Sequence, residues 1–224
     1  MAELKDTIAR IFPEATFEDG DILTVNIPDA KWHEFAKTLR DNPEFGFDFL
    51  VTIVGMDWKD KLGCVYYLTS TKTNRHISVK VTTDNLETPM LHSVADLWHI
   101  AGIFEREVYD FFGIVFIGNP DMRRLFLDID WKGFPLRKDY DESEELNPVS
   151  TENERQSDFT DTYVELPDGK VEKRQVRVFE EDDFVVNIGP QHPATHGVLR
   201  FRTAVDGENI KKIDVYMGYI HRGI

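Results

Sequence analysis

One acidic stretch limits how this chain can fold. Between Asp139 and Asp183 there are 16 Asp and Glu against 5 Lys and Arg, a balance of −11 within a whole-chain net charge of −15. Runs such as Asp141-Glu142-Ser143-Glu144-Glu145 and Thr151-Glu152-Asn153-Glu154 carry no apolar side chains. Burying such a stretch does little to offset the entropy of ordering it. A core shared evenly along all 224 residues is therefore not expected. The pattern predicts three parts: a domain over residues 1–140, an acidic linker over 141–183, and a short β segment over 184–224.

Within the first part, Leu4, Ile8, Ile11 and Phe12 recur at helical spacing, which predicts an amphipathic helix over 2–12 ended by Pro13. Asp19-Gly20, between Ala15-Thr16-Phe17 and Ile22-Leu23-Thr24-Val25, signals a hairpin turn. Asp29 then fits the N-cap of a second helix, with Trp32, Phe35, Ala36 and Leu39 on one face. The almost unbroken apolar run from Phe47 to Met56 suits a strand covered on both faces. Leu62–Ser70 and His76–Thr83 supply two more strands, the latter turning Ile77, Val79 and Val81 to one side. Helix, two strands, helix and three strands predict an α+β two-layer domain, with a mixed or antiparallel sheet and helices on one face. Further on, Ser93-Val94-Ala95-Asp96 has the form of a capping box, and Gly102 is expected to divide the helical region that follows. Phe104, Val108, Phe111 and Phe112 make an apolar face that stops at Gly113. That leaves Glu105, Arg106, Glu107 and Asp110 as a solvated face, with Arg106 and Asp110 in reach of each other.

Composition excludes several functions. No stretch approaches the roughly 20 apolar residues of a membrane span, and Met-Ala-Glu-Leu-Lys-Asp lacks a hydrophobic export region. A cytoplasmic location fits both. The single Cys64 rules out an internal disulfide or a cysteine-ligated iron–sulfur cluster in this chain, and its setting in Val65-Tyr66-Tyr67-Leu68 fits a packed thiol. The acidic balance argues against nucleic acid as a main partner. No Gly-rich loop precedes a helix, so dinucleotide binding by the chain itself is not expected.

The segment Asn187-Ile188-Gly189-Pro190-Gln191-His192-Pro193-Ala194-Thr195-His196-Gly197-Val198-Leu199-Arg200 carries the strongest chemical signal. Its glycines and prolines punctuate a loop, and strand-like runs flank it. Such a loop can hold imidazoles out of a sheet and into a cavity. Imidazole donates, accepts and titrates near neutral pH, which suits a ligand that takes up protons. His192 and His196 also form an H-x-x-x-H pair, a metal-ligand spacing on a helix. Pro193 and the flanking glycines disfavour a helix, no third ligand lies nearby in sequence, and no metal site is expected.

This loop resembles the N-terminal end of the D (49 kDa) subunit of respiratory complex I, and Gly218-Tyr219-Ile220-His221-Arg222-Gly223-Ile224 is similar to the next D-subunit motif. Upstream, Glu105–Ile114, Pro120-Asp121-Met122-Arg123-Arg124-Leu125 and Pro135-Leu136-Arg137-Lys138-Asp139-Tyr140 resemble the C (30 kDa) subunit. The order C then D is similar to the fused C/D subunit of NADH-quinone oxidoreductase in some bacteria. That resemblance makes residues 1–140 a C-like domain and 184–224 the truncated start of a D-like one. It implies a scaffold in the peripheral arm, with His196 hydrogen-bonding and helping to protonate a quinone while His192 supports the loop. It places Arg222 near an iron–sulfur cluster carried by a partner subunit. FMN and the other clusters would also sit in partners, and this chain alone would bind no cofactor and have no activity. Attachment to the cytoplasmic side of the bacterial inner membrane would come only through partner subunits. The tyrosine and acidic residue that complete the pocket in D subunits are not visible in this chain. Where C subunits most often have His before Pro-Asp, this chain has Asn119, which removes any role needing an imidazole there. Two other functions stay open: a pure assembly module, and a subunit of a ferredoxin-linked or hydrogenase-type membrane complex.

Overall fold

The computed structural model describes residues 2–127, 131–141, 158–190 and 198–217. The chain begins with helix α1 (Ala2–Ile11), strands β1 (Thr16–Glu18) and β2 (Thr24–Asn26) and helix α2 (Asp29–Asp41). Strands β3 (Phe49–Asp57), β4 (Leu62–Thr69) and β5 (His76–Thr83) follow, and the five strands form one sheet of order β1-β2-β5-β4-β3. Strands β2 and β5 run parallel and the other neighbours antiparallel, so the sheet is mixed.

Alternation decides which face the helices cover. Ile77, Val79 and Val81 are fully buried, and the register Tyr66↔Val79 sets Cys64, Tyr66 and Leu68 beside them. Trp32 of α2 lies tilted against Tyr66 at 4.3 Å between ring centroids, and Phe12 meets Phe35 edge-on at 4.9 Å. Helix α3 (Ala101–Phe112) lies on the same side, over the far edge of the sheet. Gly55 pairs with Cys64, and a Cβ on Gly55 would fall 2.5 Å from the Phe112 ring. The helix comes this close because no side chain stands there. The expected α+β two-layer arrangement with helices on one face is the observed one.

Several local expectations differ. Strand β3 is an edge strand with one face open: Phe49, Val51, Val54 and Met56 are exposed, while Leu50 and Ile53 are buried. A continuous apolar run does not by itself specify two covered faces. The N-cap of α2 is Pro28, not Asp29, whose carboxylate instead accepts the His92 backbone N–H at 2.8 Å. Ser93 caps no helix, and its hydroxyl donates to Glu105 at 2.6 Å. Gly113 does stop α3, with φ +74° and its N–H donating to the Tyr109 carbonyl at 2.8 Å. The charges on α3 are not its solvated face, since Glu105 and Asp110 are fully buried. Arg106 does not pair with Asp110 but with Asp121, at 3.2 Å.

Strands β6 (Met90–His92) and β7 (Val115–Ile117) pair in parallel beside α3, and β8 (Phe159–Glu165) and β9 (Val171–Arg177) form a hairpin. The second half of the expected linker is therefore folded. Gly118 donates its N–H to the Tyr163 carbonyl at 2.7 Å, Met122 donates to the Asp161 carbonyl at 3.1 Å, and Tyr163 packs on the main core. The acidic charge is tolerated because β9 is almost wholly exposed, and its Lys173 and Arg174 pair with Asp161 and Glu172 at 2.7 Å each. Residues 142–157 of the expected linker lie outside the described residues. Last come β10 (Phe184–Ile188), β11 (Arg200–Asp206) and β12 (Asn209–Tyr216), an antiparallel sheet of order β10-β11-β12.

Candidate functional site

His192, His196 and Arg222 lie outside the described residues, so the structure defines the frame of the histidine loop and not its side chains. Strands β10 and β11 close on each other through the register Asn187↔Arg202 and Ile188↔Phe201, and the loop bridges their ends. At its base Gly189 has φ +92°, and a Cβ there would sit 2.1 Å from the Leu199 carbonyl oxygen. The two strand ends cross at backbone contact, which only glycine permits.

One face of this sheet is buried and carries polar side chains beside a small apolar cluster of Val178, Phe179 and Ala204. Arg200 donates to the Asn187 side chain at 3.2 Å, and Arg202 donates to the Tyr216 hydroxyl at 3.2 Å and to Asp158. Asp214 of β12 receives both ends of Arg123, at 2.8 and 3.1 Å. Arg123 comes from the loop after β7 and also grips Asp121 at 2.6 and 2.9 Å. Asp121 in turn contacts Arg106 of α3 and accepts the Thr160 hydroxyl proton at 2.7 Å. The loop frame is thus fastened to the N-terminal domain by a continuous ionic seam. Burial alone would raise the Asp121 carboxyl, but Arg123 and Arg106 outweigh it and hold the group well below the usual carboxylate range. Burial likewise opposes charge on Arg123, and the two carboxylates overcome it, so the guanidinium stays charged.

Two further carboxylates organise the domain side. Asp110 accepts the successive N–H groups of Leu125, Phe126 and Leu127 at 3.0, 2.7 and 2.9 Å, and Arg124 closes on its other oxygen at 3.0 Å. Glu105 accepts Ser93, the Val94 N–H and Asn119 at 2.6, 2.9 and 2.7 Å. Burial still pushes its carboxyl up to about 7. The Asn119 amide that donates to Glu105 also donates to the Gly102 carbonyl at 3.2 Å. Cys64 is fully buried and its thiol is raised by that burial, as a packed thiol should be.

Sequence reasoning located the loop and the Pro120–Leu125 block but missed the roles of Glu105, Asp110, Asp121, Arg123 and Asp214. Glu105 left a usable trace: it shares the helical stripe of Ala101 and Val108, so it faces inward. For Asp214 no local pattern announces a partner 91 residues away. Among the described residues, no cluster of three or more His, Cys, Asp or Glu is placed to hold a metal ion. Nor is any helix among them long and apolar enough to cross a membrane.

Comparison with known proteins agrees with this organisation. The chain is 54% identical over 202 residues to the C/D subunit of Phocaeicola vulgatus NADH-quinone oxidoreductase, a match spanning 89% of this chain and 38% of that protein. It is 50% identical over 197 residues to the C/D subunit of the Bacteroides thetaiotaomicron enzyme, spanning 83% and 37%. The C/D subunit of the Methylococcus capsulatus enzyme is more distant, 37% identical over 161 residues. The chain thus spans well under half the length of the relatives it matches. In fold it is similar to a chain from the archaeal membrane-bound sulfane sulfur reductase, a respiratory membrane complex, with TM-score 0.54 and 23% identity over 70% of this chain and 98% of that one. The family model of the respiratory-chain NADH dehydrogenase 30 Kd subunit matches residues 25–146. Since that region holds β3–β5, α3 and the residues that grip the loop frame, the chain belongs to the respiratory-chain NADH dehydrogenase 30 Kd subunit family.

Proposed function

We propose that this chain is part of a fused C/D subunit of NADH-quinone oxidoreductase, in which the N-terminal domain is scaffold and the 191–197 loop belongs to the quinone site. One observation supports this reading: the 54% match covers 89% of the chain, so it extends well beyond the family domain of residues 25–146. In this reading NADH oxidation, FMN and the iron–sulfur centres would belong to partner subunits, which would supply the electrons. Quinone reduction needs two electrons and two protons. His196 donates a hydrogen bond to a quinone carbonyl oxygen and helps deliver a proton, and His192 holds the loop. Arg222 would lie near the partner's cluster, where a cation would favour the reduced, more negative state. The chain meets the membrane through its partners, and alone it turns over neither NADH nor quinone.

The test is His196→Ala in the assembled complex. Loss of one preorganised donor at a developing oxyanion typically costs on the order of 100-fold or more in rate. Quinone reduction should fall by that factor while electron transfer to an artificial acceptor upstream stays normal, and His196→Gln should be milder. Full quinone turnover in the Ala variant would defeat the site assignment, and failure to assemble would make the residue structural.

A further inference from the structure

The three-stranded sheet turns its charged side inward and its oily side outward. Strand alternation and register fix both faces. Arg202 and Asp214 lie opposite each other across β11 and β12 and both are buried, Asp214 against Arg123 of the N-terminal domain and Arg202 against Phe179 and Asp158. The other face takes the alternate positions. Phe184, Val186 and Ile188 come from β10, and the ladder pairs Phe184 with Val205 and Ile188 with Phe201. Across the far edge, Val205 faces Ile210, Thr203 faces Ile213 and Phe201 faces Val215. Eight of these nine side chains are apolar and none is charged. The outer positions of this face are open, with Phe184 70% exposed, Ile210 62% and Ile213 48%, while Thr203 at its centre is buried among its neighbours.

A register slip would exchange the two faces, but the Arg123–Asp214 grip excludes it. A continuous apolar patch of this kind marks an interface, and a sheet with one apolar face is completed by a second layer. The open face of the five-stranded sheet is different, because there Thr24, Ser78, Lys80 and Glu18 satisfy one another among the exposed aliphatic groups. In the fused relatives the matched region is only 38% and 37% of the polypeptide, so most of the chain lies elsewhere. We infer that the Phe184–Ile210–Ile213 face is the seat of an apolar layer contributed by the part of the same fused polypeptide outside these 224 residues. The inference rests on the C/D reading for the existence of that layer, and not on any role of the histidines.

The test uses 8-anilinonaphthalene-1-sulfonate fluorescence, light scattering and limited proteolysis. They are applied to the 224-residue chain and to the full fused polypeptide, each with and without Ile210→Lys plus Ile213→Lys. The short chain should bind the dye and associate with rising concentration, and the double variant should lose most of that signal. The fused polypeptide should be dye-silent, and there the same pair should raise dye binding and protease sensitivity several-fold. Ile210→Thr plus Ile213→Thr, which keeps strand propensity, should act in the same direction if the lysine pair fails to fold. A fused polypeptide indifferent to both pairs would overturn the inference. So would a defined dimer of the fused polypeptide that either pair dissociates, since a second copy would then be the occupant. A fused polypeptide that stays dye-bright until a partner subunit is added would overturn it as well. Turnover is not read, so a failure of the His196 assignment leaves these outcomes unchanged.

Discussion

The five-stranded sheet buries Ile77, Val79, Tyr66 and Leu68 beneath its helices and leaves an open face where Lys80, Glu18 and Thr24 sit among the exposed Phe49, Val51, Val54 and Met56, whereas the three-stranded sheet buries Arg202, Asp214 and Tyr216 and leaves Phe184, Ile210 and Ile213 to water. The first arrangement rests on an apolar core. Apolar burial is non-directional and contributes roughly 25 cal/mol per Å² wherever side chains pack. The second depends on geometry, because ion pairs taken out of water recover their desolvation cost only when each partner is in place. Its ionic face ties β12 to the N-terminal domain through Arg123 and Asp214, and a small apolar cluster of Val178, Phe179 and Ala204 packs on the same side.

Breaking the seam should produce the largest effect. Arg123→Ala leaves Asp121 and Asp214 facing each other across a buried space, 25% and 6% exposed at the side chain. Removing one partner of such a buried set typically costs about 3–5 kcal/mol. Hydrogen exchange in β11 and β12 should accelerate accordingly, while the five-stranded sheet keeps its protection. If both sheets lose protection together, they form one cooperative unit and the contrast between them fails.

A second effect belongs to the domain alone. The Glu105 carboxyl is pushed up to about 7 by burial, against an ordinary value of 4.5, even though Ser93, Val94 and Asn119 donate to it. The folded state therefore holds this proton more tightly than the unfolded chain. Stability should be full below about pH 4.5 and should decline as pH rises to about 7, by on the order of 3 kcal/mol. Glu105→Gln should flatten that limb of the pH–stability curve measured by urea unfolding. An unchanged slope between those pH values would show that Glu105 is charged throughout, and that its three donors outweigh burial.

Much of the five-stranded sheet was legible in the sequence because one rule, apolar alternation, both forms and buries a strand. Ile77, Val79 and Val81 follow it, and so do Trp32, Phe35 and Leu39 on α2. Where the structure departs from the sequence reading, the deciding contact is distant. Asp29 looked like a helix cap until His92, 63 residues on, claimed its carboxylate. The acidic composition of 158–183 argued for a linker, yet Tyr163 and the Gly118 N–H recruit β8 to the domain. The histidine loop announced itself through Gly, Pro and His, residue types whose chemistry is local. Its seam did not, because Arg123 and Asp214 are ordinary surface residues until the fold brings them together.

The smallest predicted effect concerns the clasp between domain and hairpin. His92 on β6 faces Asp29 at 2.7 Å through Nδ1 and Glu165, at the end of β8, at 3.0 Å through Nε2. Only the imidazolium donates from both nitrogens at once. Asp29 chiefly, and then Glu165, hold its pKa up at about 9 against the ordinary 6.5, with partial burial opposing them. Because the folded value lies above the unfolded one, the clasp contributes fully below about pH 6.5 and is lost as pH rises through about 9. His92 and Asp29 are partly exposed and Glu165 more so, so water screens the clasp and its contribution is about 1 kcal/mol. Titration of the His92 ring by NMR should show the raised value, and Asp29→Asn should lower it more than Glu165→Gln. Cleavage of the β8–β9 hairpin by a protease should quicken between those pH values, and in Glu165→Gln it should be fast throughout. Should the ring titrate at its ordinary value with the hairpin still protected, the hairpin is held by Tyr163 and its backbone bonds alone, and the domain's apolar rule extends further along the chain than the ionic contacts suggest.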